Sequence, residues 1–294
     1  MSNEQQKFGI KHGEEPRTTF VDSIEAVKVQ LVDWPDVDRL CRAIINMAHA
    51  SWYENAEREL TPEEYSVAID NVLAGNTLGQ AVEHAHFLFR VSGLNLHGTH
   101  SLVRNRIGIA YMQRSLAVSD LRHEPILVPR AFQKTPELLQ QYYEWCQEGK
   151  RIYAAMLDSG EIGQLDARLA LPKTIPSWIY VSVSLVTLLS VYAKRTDTQE
   201  EPPELNVMCE QMKNAVSSIF PFLRAKFVSA CDAGKCLHQR PGYTANCIYA
   251  RDEKHKCEEV NAFTLHDKTR TQLHLFDTDG VTPLRPISTW EDTI

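Results

Sequence analysis

The chain has 294 residues, 43% of them hydrophobic, and a formal net charge of -7. That length supplies a core without disulfide or metal staples. The acidic balance argues against general nucleic-acid binding, which needs a basic surface to displace counterions, so an anionic ligand must meet a local cationic pocket.

Residues 1–17 are polar and rich in Glu, Gln, Lys and Gly, and read as a disordered tail. Over 23–32, Val27, Val29 and Leu31 alternate with polar neighbours, the two-residue period of a strand with one buried face. Pro35 then opens a helix whose apolar stripe is Val37, Leu40, Cys41, Ile44, Ile45 and Ala48. Thr61-Pro62-Glu63-Glu64 combines an N-cap threonine, proline at the first helical position and a reciprocal Glu, with Tyr65, Ala68, Ile69 and Val72 as the buried side of the helix that follows. Phe87, Phe89 and Val91 alternate as a second strand.

A third helix is expected over 136–157, with Leu139, Tyr142, Cys146 and Tyr153 on or near its inner side, and a shorter helical piece over 165–170 that stops before Pro172. The most apolar run, 178–193, is interrupted by Ser182, Ser184 and Ser190 and is shorter than the roughly 20 residues a membrane helix needs. Its β-branched residues permit a strand, but its length favours a buried helix. Prolines and acids at 201–204 start another helix, with Leu205, Met208, Cys209, Met212, Val216 and Ile219 on its apolar stripe.

From 227 the pattern degrades, which divides the chain into the tail, a domain over 18–225 and an accessory segment over 226–294. Cys231, Cys236, Cys247 and Cys257, with His238 and His255, invite a metal reading, but only Cys231 and Cys236 approach ligand spacing, so no metal site is assigned. The seven cysteines, an odd and scattered number with no secretory leader ahead of them, fit free thiols in a reducing cytoplasm.

Function is sought in the stretch 83–129. Arg104 and Arg106 stand one residue apart, with Arg114 and Ser115 close behind. Guanidinium groups are planar forks that bind phosphate and carboxylate bidentately, and backbone returning from a strand through Arg-x-Arg can aim several at one spot. The alternative is that these arginines pair with surface acids, an arrangement of little energetic weight.

The same stretch resembles the flavin-dependent thymidylate synthases. Glu83-His84, Phe87-Leu88-Phe89, His100 to Val103 and Arg104-Asn105-Arg106-Ile107 fall in the order of that family's strand and Arg-His-Arg-x-x-Ser motif. Its tail matches Ala110 to Ser115 with one extra residue near Gly108. Ala167-Arg168-Leu169-Ala170-Leu171-Pro172 looks like a second family block, and Arg195 follows in register.

The resemblance implies an α/β (α+β) domain with a mixed sheet and several long helices, assembled as a homotetramer with sites shared between subunits. It also implies one-carbon transfer to C5 of a pyrimidine nucleotide such as dUMP, with FAD, methylenetetrahydrofolate and NADPH as cofactors. By motif position, Arg104, Gln113, Ser115, Arg168 and Arg195 would hold the nucleotide, and His84, Asn105 and Arg106 the cofactor side. The cofactor supplies the chemistry, and no cysteine lies between Cys41 and Cys146, so no thiol nucleophile serves the central stretch.

The chain departs from the family pattern at several places. Asn105 replaces the motif histidine, Ala117-Val118 the closing Arg-Tyr, and Ser101 a phosphate-holding glutamine. Ser184-Leu185-Val186 stands for Asn-x-Arg, and Ser190 for a further asparagine, at positions that mostly contact flavin. The lost donors leave three readings open: methyl transfer or flavin-free hydroxymethylation, nucleotide binding without catalysis, and arginines that form ion pairs across a subunit interface.

Overall fold

The computed structural model describes residues 13–36, 39–40, 61–73, 83–196 and 202–229. In chain order they form β1 (Phe20–Asp22), β2 (Lys28–Asp33), α1 (Pro62–Leu73), β3 (His86–Leu94), α2 (Leu96–Leu102), β4 (Ile109–Gln113) and β5 (Ile126–Val128). There follow α3 (Pro136–Asp158), α4 (Gln164–Ala167), β6 (Ser177–Ser184), α5 (Leu185–Arg195) and α6 (Pro203–Ile219). Short 3-10 segments occupy Arg130–Lys134, Arg168–Ala170 and Pro221–Lys226. The class is α+β, as the motif resemblance implies, and two helices are long, at 23 and 17 residues.

Two compact units divide the chain. The first, Met1–Trp34 with His86–Val183, contains a four-stranded sheet in the order β2-β3-β6-β4. Strands β2 and β3 are antiparallel, as are β4 and β6. The expected alternation is there: Phe87, Phe89 and Val91 of β3 and Ile179, Val181 and Val183 of β6 are buried, because successive side chains of a strand point to opposite faces. Gly93 has φ +79, and a Cβ on it would lie 1.9 Å from the Ala26 carbonyl oxygen. Only glycine lets the turn ahead of β2 close onto the end of β3.

Parallel pairing of β1 with β5 puts Phe20 opposite Ile126, and beside that ribbon α3 forms a core of Leu121, Ile126, Cys146, Tyr153, Leu157, Ala167 and Ile175. The residues 13–17 are tied to this unit. The Gly13 amide donates to Asp158 Oδ1 at 3.0 Å, and the Arg17 amide to His123 Nδ1 at 3.3 Å.

One expectation is corrected. The run 178–193 is not a single helix: Ser177–Ser184 is a strand and the helix begins at Leu185. Ser184 makes the break, since its side chain accepts from the Thr187 amide and so caps α5. The alternation Ile179, Val181, Val183 follows the strand period, and sheet pairing with β4 decides between the two geometries that apolarity alone permits.

The second unit, Pro35–Ala85 with Ser184–Ile294, is helical where described. The capping box of α1 is reciprocal: the Thr61 amide donates to Glu64 Oε2 at 3.0 Å, and the Glu64 amide to Thr61 Oγ1 at 3.3 Å. The side chains of Tyr65, Ile69 and Val72 lie outside the described residues, as do most of the helix expected after Pro35, residues 1–12 and the cysteines beyond 230. On α6 the expected stripe of Leu205, Met208, Cys209, Met212 and Val216 is buried.

Candidate functional site

Helix α2 delivers the Arg-x-Arg turn. Asn95 caps it, accepting from the Gly98 amide at 2.8 Å, and the Leu96 amide donates to the Lys173 carbonyl at 3.2 Å, so its start is pinned on both sides. At its other end, Leu102 has a carbonyl with no helical partner, like the last carbonyls of any helix. Three donors converge on it: the Asn105 amide at 3.2 Å, Asn105 Nδ2 at 2.9 Å and the Tyr111 hydroxyl at 2.8 Å.

Gly108, at φ +67, then turns the chain into β4, whose pairing sets Tyr111 opposite Val181. The result is a tight turn with Asn105 folded inward and Arg104 and Arg106 exposed on either side of it. Neither arginine has a hydrogen-bond or ion-pair partner among the described residues. Gln113, at the end of β4, returns to the same helix and donates from Nε2 to Thr99 Oγ1 at 3.3 Å.

The remaining expected residues are distributed as follows. Ser115 is exposed; its Oγ accepts from the Ala117 amide at 3.3 Å and its carbonyl accepts from Ser119 Oγ at 3.1 Å, so it organises its own turn. Arg168 is half-buried on its 3-10 turn, and its Nε donates to the Leu165 carbonyl at 3.1 Å. That turn sits hard against α3, since a Cβ on Gly149 would lie 2.7 Å from the Ala170 carbonyl oxygen. His84 is exposed, and His84 and Arg195 both belong to the second unit.

Arg114 is engaged by the protein itself. Its Nη1 lies 2.6 Å from Glu124 Oε1, its Nε donates to Ser119 Oγ at 3.1 Å and its amide donates to the Trp178 carbonyl at 3.0 Å. It therefore braces the 114–124 loop. The base of that loop rests on Tyr153, expected on the inner side of α3, and on Arg122 and Lys150, which sequence reasoning passed over. Tyr153 accepts from the Leu121 amide at 3.1 Å.

Arg122, fully buried, reaches Asp158 at 2.9 Å and Asp120 at 3.5 Å. Lys150, also fully buried, donates to the carbonyls of Arg17 at 3.0 Å, Arg122 at 2.9 Å and Glu124. A signal for Lys150 was present: it stands between Cys146 and Tyr153 on the buried stripe of α3, where a charge must have partners. Burial lowers the Lys150 ammonium to about pH 8, and burial raises the Cys146 thiol, which keeps it protonated and unsuited to nucleophilic attack.

Flavin fits this chain's own residues poorly. Of the positions the motif reserves for it, Asn105 spends its amide on Leu102, Ser184 caps α5 and bonds Thr187 Oγ1 at 3.1 Å, and Val186 has no polar group. Among the described residues no group of His, Cys, Asp or Glu could hold a metal ion, and no helix is long and apolar enough to cross a membrane.

The turn after α2 thus exposes two guanidinium groups on an α+β scaffold, groups whose chemistry suits phosphate and carboxylate. The chain belongs to the thymidylate synthase complementing protein family, whose model matches residues 30–222. It is similar to the flavin-dependent thymidylate synthase of Geobacter sulfurreducens, 25% identical over 202 residues that cover 67% of this chain and 82% of the relative. That of Sulfurisphaera tokodaii is 28% identical over 171 residues, 57% of this chain and 63% of the relative. In fold it resembles the UMP/dUMP methylase PolB from Streptomyces cacaoi bound with 5-Br dUMP, with a TM-score of 0.59 and 20% identity over 71% of this chain and 96% of that one.

Proposed function

We propose that this protein transfers a one-carbon unit from methylenetetrahydrofolate to C5 of a pyrimidine nucleoside monophosphate, dUMP or UMP. The observation that carries the reading is the Arg104–Asn105–Arg106 turn, in which the helix end is closed internally while both guanidinium groups remain available to a phosphate, that of Arg106 included although motif position sets it on the cofactor side. Gln113 offers an amide beside it, and Ser115, Arg168 and Arg195 are assigned to the nucleotide by motif position. Membership of the family and likeness in sequence to relatives named flavin-dependent thymidylate synthase support the substrate class. In the same reading the chain works as a homotetramer, which the mass of the purified assembly in solution would test.

A second reading is favoured by the inward turn of Asn105 and the capping role of Ser184. With those groups committed to the fold, a flavin-free reaction in which water rather than hydride completes the transfer, giving a hydroxymethyl product, needs fewer partners than reduction. In both readings the protein's residues bind the phosphate, orient the ring and exclude bulk water.

The test is tritium release from nucleotides labelled at C5, with methylenetetrahydrofolate, in the presence and absence of FAD and NADPH. Release with dUMP or UMP is expected, and the product mass separates methyl from hydroxymethyl. No release from either nucleotide under any of these conditions overturns the proposal.

A further inference from the structure

The last turn of α5, which carries Arg195, is fastened through a single residue one turn back. Tyr192 lies three positions before Arg195, on the buried side of the helix. Its hydroxyl donates to Glu210 Oε1 at 2.5 Å and accepts from Lys213 Nζ at 3.0 Å. The same ammonium stands 5.1 Å from the centre of the Tyr192 ring, and Phe227 meets that ring edge-on at 5.3 Å. The Tyr192 carbonyl accepts from both the amide and the hydroxyl of Thr196, at 3.0 and 2.7 Å. Ring, hydroxyl and carbonyl are thus each held, by partners from α6, from the chain after it and from the helix's own cap.

Helix ends ordinarily fray, because their last carbonyls lack partners. Here the end is fixed by a buried charge. Lys213 is 2% exposed, and its Nζ is 3.9 Å from Glu210 Oε2. Burying a lysine against a partly exposed glutamate is rarely the cheapest way to pack two helices, since apolar residues of similar volume do as well or better. What the polar set supplies is direction: a hydrogen-bonded hydroxyl admits one rotation of the helix end, and an apolar contact admits several.

We infer that Tyr192, locked by Glu210 and Lys213, is the positioning residue that aims Arg195. This rests on the reading of Arg195 as a nucleotide-binding residue. Tyr192 touches no substrate in this scheme. It acts by fixing the helix end from which the Arg195 side chain springs before the ligand arrives, so that less freedom is lost on binding.

The test uses the full chain and measures dUMP and UMP affinity calorimetrically for Arg195→Ala, Tyr192→Phe and the double variant, with thermal melts alongside. Tyr192→Phe keeps the ring and removes the hydroxyl; Lys213→Met serves as a second, more disruptive disconnection. Arg195→Ala is expected to weaken binding more than tenfold, Tyr192→Phe about threefold to tenfold, the scale of one hydrogen bond, and the double variant no more than Arg195→Ala alone.

If Arg195→Ala weakens binding and Tyr192→Phe does not, or if the two effects multiply, the positioning role is overturned while the nucleotide reading stands. If Arg195→Ala leaves affinity unchanged, the assignment of Arg195 to the nucleotide fails and this inference with it. A purely structural role for Tyr192 would lower the melting temperature and leave dUMP affinity intact, which also counts against it.

Discussion

The turn after α2 and the loop over 114–124 use arginine in opposite ways. In the turn, the backbone, the Asn105 side chain and the Tyr111 hydroxyl satisfy the helix end, and Arg104 and Arg106 are left exposed. In the loop, Arg114 and Arg122 are the fasteners: one is bonded to Glu124 and Ser119, the other to Asp158 and Asp120. A guanidinium group is available to a ligand only where something else has closed the local hydrogen-bond account. The comparison explains why charge pattern alone does not distinguish the four arginines.

The largest effect expected from this contrast is at Arg122. Arg122→Ala strands Asp158 and Asp120 beside a buried void and should destabilise the fold by about 3–5 kcal/mol, seen as an early denaturant midpoint. Lys150→Met comes next. It removes the donor from three backbone carbonyls, of which the bond to Arg122 is buried and the other two are partly buried, and a buried acceptor left unsatisfied costs about 1–3 kcal/mol.

The Lys150 variant also has a pH signature. Folding lowers the ammonium from its ordinary range to about pH 8, so between there and the ordinary lysine value the unfolded chain holds a proton that the native one lacks. Native stability therefore rises with pH across that window relative to Lys150→Met, and below it the two proteins keep a constant difference. Urea titrations at several alkaline pH values would show the opposite slope if the group were stabilised in its charged form.

At the turn the readout changes from stability to binding. Arg104→Ala and Arg106→Ala should each weaken phosphate-bearing nucleotide by about 1.5–3 kcal/mol, more than tenfold, while the melting curve barely moves. Equal loss of affinity for the uncharged nucleoside would show that they do not hold phosphate. Arg114→Ala sits at the small end: a partly exposed ion pair contributes about 1 kcal/mol or less, and nucleotide affinity should be unchanged. A tenfold loss of affinity at Arg114 would erase the distinction between turn and loop.

The sequence made α1 and α6 readable because their signals are local. Thr61 and Glu64 are three residues apart and bond each other in both directions, and the stripe from Leu205 to Val216 needs only its own spacing. The motif order located the arginine turn in the same way. What it could not reveal was partnership at a distance. Lys150 bonds carbonyls 133, 28 and 26 residues away, and backbone oxygens leave no mark in a sequence.

Phe20 pairs with Ile126 in a ribbon of only three residues per strand, too short for periodicity to register. The strand Ser177–Ser184 was hidden differently: its alternation was present, but the apolar run continued past Ser184 into a helix, so length argued for the wrong geometry.

The Lys150 ammonium has a consequence for motion. Because one group holds the carbonyls of Arg17, Arg122 and Glu124, these segments cannot loosen one at a time without giving up the same contact. The N-terminal strap and the base of the 114–124 loop should open as a single cooperative unit in hydrogen exchange, with shared protection across residues far apart in the chain. The loop that carries Ser115 therefore inherits its rigidity from a strand of backbone near the start of the molecule.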